Sequence, residues 1–163
     1  MPTYSLAFSE KLAEAAQFVV NDGIEDEGAR QAVLYLSRLS AEVTLKSLLE
    51  KAGLPIEKIR GRSHDLAKLL SDLSACQIRK DIAPGVPYWV SASDIRGQTV
   101  DERFGNATVG TLLEGEKVGA SKYPNEIRYG EVQKDFPAKL LSQMALIMIE
   151  WAKLHWDTIR VEP

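Results

Sequence analysis

Apolar residues recur along the first part of the chain at three- and four-residue steps. Phe8, Leu12, Ala15, Ala16 and Val19 keep this spacing while Glu10, Lys11, Glu14 and Gln17 take the opposite face, which predicts an amphipathic helix over about 5–20 that stops at Gly23. A second helix is predicted over about 26–52, because the segment has no internal proline and runs into Gly53 and Pro55. Its apolar positions, among them Val33, Leu34, Leu39, Val43, Leu45 and Leu48, cover more than one stripe, so this helix needs neighbours on several sides.

A third helix is expected to open with Ser63 as its N-cap and Asp65 in its first turn, where the helix dipole favours negative charge. Leu66, Leu69, Leu70 and Leu73 form its inward face, and it ends between 75 and 82. The last helix, over about 135–159, carries Phe136, Leu140, Leu141, Met144, Trp151 and Trp156, with Pro137 in the first turn, where its missing N–H costs nothing. Between these two, from 84 to 134, glycine and proline punctuate every few residues and predict an irregular insertion, with a short hairpin inside 107–119. The expected fold is therefore all-α: one domain over residues 1–163, a four-helix up-and-down-type bundle with a long irregular insertion before its last helix.

Composition narrows the function classes. Twenty Lys and Arg against 23 Asp and Glu leave a net charge of −3, which speaks against a surface coated for indiscriminate nucleic-acid or membrane binding, though not against a local basic patch. Cys76 is the single cysteine, so neither an internal disulfide nor a cysteine-built metal site can form, and a reducing compartment is expected. With no basic segment followed by an unbroken apolar run at the N-terminus, and no window near the roughly 18 apolar residues of a membrane span, a cytoplasmic protein without membrane contact is expected. No Gly-rich phosphate loop and no His and carboxylate set at metal-ligand spacing is present, so neither cofactor nor metal is expected.

Candidate chemistry concentrates in three places. Arg60, Arg62 and His64 stand within five residues at the mouth of the third helix; they suit either a helix cap with solvated charges or a phosphate site. Glu42 and Lys46, one helical turn apart among apolar neighbours, make either a structural polar pair or part of a ligand pocket. Arg128 and Tyr129 combine a forked donor for phosphate with a ring on which a base can stack, unless Arg128 is spent on Glu126, Glu131 or Asp135. Tyr88, Trp89 and Tyr123 mark either a recognition surface or the anchors of a long loop.

The segments ARQAVLYLSRLSAEVTLKSLLEKAGL and SHDLAKLLSDL, with Glu42 and Lys46 in the first and His64, Asp65 and Leu66 opening the second, resemble the HEPN family of prokaryotic helical-bundle domains, as does PNEIRYGE around Arg128 and Tyr129. The resemblance implies one of two activities. Some members are metal-independent ribonucleases, usually dimeric, built on an Arg followed four to six residues later by a His on one helix; others are non-catalytic modules for nucleotide, RNA or protein, found beside nucleotidyltransferases. Here only three residues separate Arg60 from His64, and His155 in the last helix follows Met148, Ile149 and Glu150 instead of an arginine. The expectation is accordingly a homodimeric, non-catalytic module for a nucleotide, RNA or a nucleotidyltransferase-like protein partner, with a toxin-antitoxin or defence system as its setting. The alternative is a ribonuclease toxin with His64 as acid and base and Arg60 on the phosphate.

Overall fold

The structure, a computed structural model, describes residues 1–101, 107–114 and 138–163. Helix α1 (Leu6–Asp22) opens where the Ser5 hydroxyl accepts the Phe8 N–H at 3.1 Å. Helix α2 (Glu27–Ala52) opens on Asp26, whose carboxylate accepts the Ala29 N–H at 2.8 Å. It closes on Gly53, which stands at φ 103°, with the Leu54 N–H donating back to the Leu49 carbonyl and the Gly53 N–H to that of Glu50. This is the glycine-terminated end that a left-handed residue permits. A short helix α3 (Ile56–Gly61) and helix α4 (Leu66–Ser74) follow.

Sequence expectation and structure part at the next segment. Residues 77–91 form a hairpin of β1 (Gln77–Ala83) and β2 (Val86–Ser91), joined through Pro84 and Gly85. Gly85 takes φ 79°, the conformation that the third position of a Pro-Gly turn requires. A 3-10 turn (Ala92–Gly97), β3 (Thr99–Asp101), β4 (Ala107–Thr108) and a one-and-a-half-turn helix α5 (Val109–Glu114) come next. Helix α6 (Ala138–His155) leads into β5 (Ile159–Arg160), which pairs with β1 to complete an antiparallel sheet in the order β2-β1-β5.

The molecule is thus mostly helical but not all-α, and the four-helix bundle is corrected. Helices α1, α2 and α6 pack on one another, α4 packs on α2, and α4 is only nine residues long because Cys76 and Gln77 turn the chain into the sheet. The described part of the expected irregular insertion is largely ordered in strands and short helices. Within the segment expected to hold a hairpin, Ala107 and Thr108 pair with β3 and Val109–Glu114 are helical, while 115–119 lie outside the described residues.

Helix α1 also turns a different face inward from the one its apolar spacing suggests. Ser9, Ala13 and Ala16 are buried, while Phe8 is 54% exposed. The cause lies in α2, which offers Ser40 and Thr44 to α1. The Ser9 hydroxyl donates to the Ser40 carbonyl at 2.7 Å and also meets the Thr44 hydroxyl, and Ser40 donates to the Ser9 carbonyl at 2.9 Å. Small hydroxyl residues let the two helices approach closely and satisfy one another, which a face built on Phe8 would prevent.

The main core runs between α2, α4 and α6 through Leu45, Leu48, Leu69, Leu70, Met144 and Met148, all at 0% exposure. Among the described residues no helix is long and apolar enough to cross a membrane. Replacing Leu45 by Ala is expected to cost about 2–5 kcal/mol, because α2 is held on several sides and the cavity cannot collapse. A denaturant titration reads this as a lower midpoint at unchanged slope.

Candidate functional site around Glu42 and His64

Helix α2 carries a carboxylate into the interior. The Glu42 side chain is 5% exposed, and an ion at that depth must be matched. Three groups converge on it. Lys46 lies one turn ahead, with Nζ 2.8 Å from Oε1, and Arg38 one turn behind, with Nη1 3.4 Å from Oε2. From outside the helix comes His64, whose Nδ1 lies 2.9 Å from Oε1 and 3.1 Å from Oε2. A carboxylate can only accept, so Nδ1 is the donor and carries the proton. Arg38 closes the circuit, since Nη2 donates to the His64 carbonyl at 2.7 Å.

Lys46 is covered from the other side by Tyr4, whose ring centroid stands 5.5 Å from Nζ. Tyr4 is in turn held by Glu50, whose carboxylate accepts the Thr3 and Tyr4 N–H groups at 2.6 and 2.9 Å.

The turn that delivers His64 is tightly wound. Ser63 N–H donates to the Arg60 carbonyl and Asp65 N–H to that of Arg62, both at 3.0 Å. Ser63 takes φ 53° and is the one non-glycine residue with positive φ among the described residues. A left-handed serine costs about 1–2 kcal/mol, so the surroundings hold it there. Ser63 is consequently not the N-cap of α4. Asp65 is, accepting the Lys68 N–H at 3.1 Å.

The other sequence-derived positions fall as follows. Arg62 forks onto Asp72, with Nε to Oδ2 at 2.7 Å and Nη2 to Oδ1 at 3.0 Å, and this hydrogen-bonded carboxylate raises the guanidinium further above its ordinary value. Arg62 therefore pins the turn to α4. Arg60 is exposed at the end of α3 and holds no side-chain partner among the described residues. Arg128, Tyr129 and Tyr123 lie outside the described residues. Arg38 and Asp72 escaped the sequence reading. The signal for Arg38 was its position four residues before Glu42, which makes an Arg, Glu and Lys ladder down one face.

A second polar site surrounds His155 at the end of α6. A cavity of about 270 Å³ is lined by Ile78, Lys80, Val90, Ser91, Asp94 and His155. The His155 ring centroid lies 4.4 Å from that of Trp151, whose Nε1 donates to Asp94 Oδ2 at 3.1 Å. Burial pushes the imidazole below its ordinary 6.5, opposed by the Asp94 charge and assisted by Lys80. Cys76, 2% exposed, is held as a thiol, its pKa pushed up to about 11 by burial and, second, by Asp72. Among the described residues no three His, Cys, Asp or Glu side chains are grouped to hold a metal ion. No protein family, curated protein or solved structure matches the chain.

Two outcomes follow from this electrostatics. Replacing Glu42 by Gln removes the buried carboxylate that Arg38 and Lys46 share and is expected to cost about 3–5 kcal/mol, whereas His64→Ala, at a half-exposed ring, costs under about 1 kcal/mol; urea midpoints separate the two. For His155 the folded value lies below the unfolded one, so the unfolded chain takes up its proton first on acidification. Its contribution is complete above 6.5 and is lost as pH falls toward the lower folded value. Wild type should accordingly lose more stability than His155→Gln between about pH 7.5 and pH 5.

Proposed function

We propose that the chain is a HEPN-like, predominantly helical module that binds a phosphate-bearing ligand, a nucleotide or RNA, at the turn from Arg60 to His64, and that it does not cleave it. The observation carrying this reading is that the turn is locked from within and open from without. Arg38, Glu42 and Lys46 hold His64 by its Nδ1 edge and its carbonyl, while Nε2 and the Arg60 guanidinium keep their donors and acceptors for a ligand. Arg128 and Tyr129 complete the proposed ligand set, Arg128 on phosphate and Tyr129 on a base. In this reading the protein works in the cytoplasm as a homodimer, within a toxin-antitoxin or defence system, beside a nucleotidyltransferase-like partner.

Binding is preferred to cleavage because breaking an RNA strand needs both a base for the 2′-hydroxyl and an acid for the leaving oxygen. One imidazole per turn supplies only one of these at a time. The ribonuclease reading is nonetheless favoured by one contact, Glu42 on Nδ1 of His64, since a carboxylate there presents Nε2 outward as an acceptor, the tautomer that a general base requires.

Titration of ATP and of a short single-stranded RNA into wild type, Arg60→Ala and His64→Ala tests both readings. Loss of the Arg60 guanidinium should weaken binding about tenfold with the melting temperature kept, as removal of a charge-assisted hydrogen bond does. Equal affinities for all three proteins would remove the turn from the site. RNA that stays intact after incubation with wild type without metal rules out the ribonuclease; cleavage that disappears in His64→Ala establishes it.

A further inference from the structure

The open face of the sheet carries a pocket with no part in the His64 site. Along β1, residue alternation sends Ile78 into the core at 2% exposure, so Gln77, Arg79 and Asp81 face the other way. The register sets Arg79 opposite Trp89 on β2 and Gln77 opposite Arg160 on β5, and the Arg79 N–H donates to the Thr158 carbonyl at 3.0 Å. Arg160 is therefore the diagonal neighbour of Arg79, and the Trp89 side chain lies on the far side of Arg79 from it. Together with Asp81, Asp157 and Thr158 these residues line a concavity of about 480 Å³.

We infer that this pocket is a second ligand site that takes a ribonucleoside 5′-monophosphate, with the phosphate between Arg79 and Arg160 and the base against Trp89. Each guanidinium keeps donors for a ligand. Arg79 Nε stands 3.4 Å from Asp81 Oδ1 with both side chains half-exposed, a contact of little strength. Arg160 uses Nη1 on the Ile159 carbonyl at 2.6 Å, which leaves the rest of its fork for an anion.

The mixture of groups selects the ligand class. Two forked donors match a phosphate, a half-buried indole offers a face for a base, and the carboxylates of Asp81 and Asp157 accept from ribose hydroxyls or exocyclic amino groups. A peptide of Asp and Glu has no ring to lay against the indole. Inorganic phosphate would leave the indole and most of the volume unused, whereas the volume suits a small molecule.

The full-length protein is titrated calorimetrically with AMP, GMP, CMP, UMP, inorganic phosphate and a hexapeptide of Asp and Glu, alongside Trp89→Leu, Arg160→Gln and His64→Ala. At least one nucleotide should bind ten or more times tighter than phosphate. Arg160→Gln, at an exposed side chain, should weaken it about tenfold, Trp89→Leu at least about fivefold, and His64→Ala not at all. Phosphate binding as tightly as every nucleotide, the peptide binding in their place, no nucleotide binding, or affinity that follows His64 and ignores Arg160 would each overturn the assignment. Because Arg160→Gln alters only the surface, the test stands even if Trp89→Leu fails to fold.

Discussion

A single buried carboxylate organises this molecule. Glu42 sits in the middle of the most enclosed helix, and an ion there is tolerated only while its lone pairs are occupied and its charge is matched. Two of its partners come from its own helix and are available as soon as the helix forms. The third, His64, is delivered by a separate stretch of chain that is held by its own devices: a left-handed Ser63, two successive tight turns and the Arg62 fork that ties them to α4. The interior charge thereby dictates what stands at the surface.

Helix α2 can host this cluster because its faces differ in chemistry. Toward α1 it offers hydroxyls, toward α4 and α6 it offers leucines, and the Arg, Glu and Lys ladder points to the turn that opens α4. Leucine faces supply the bulk of the driving force through burial, while the hydroxyl and ionic faces specify how close and in what register neighbours may lie. An all-apolar α2 would be greasier without being more specific.

Much of the helical frame was legible in the chain because three- and four-residue spacing and capping residues act locally. Asp26 and Gly53 bound α2 in sequence and in structure. The sheet is less legible because Pro84 and Gly85 resemble breaks, although Ile78, Lys80 and Ile82 alternate with a second run through Val86, Tyr88 and Val90 around a Pro-Gly turn. The inner face of α1 is hidden for a different reason: hydrophobicity puts Phe8 inside, and only the hydroxyls of a partner helix reveal that Ser9 belongs there. At the site, spacing alone brought Glu42 and Lys46 together, and the structure closes them at 2.8 Å. That His64 joins them from 22 residues away is a matter of tertiary folding that no local pattern encodes.

The lone cysteine gives the fold a built-in clock. Cys76 sits where α4 hands over to β1, shut away from solvent and held as a thiol, so a disulfide reagent can reach it only when that junction opens. The rate at which the intact protein is labelled thus times the breathing of the helix-to-sheet joint, with no engineered probe and no other thiol to confuse the signal.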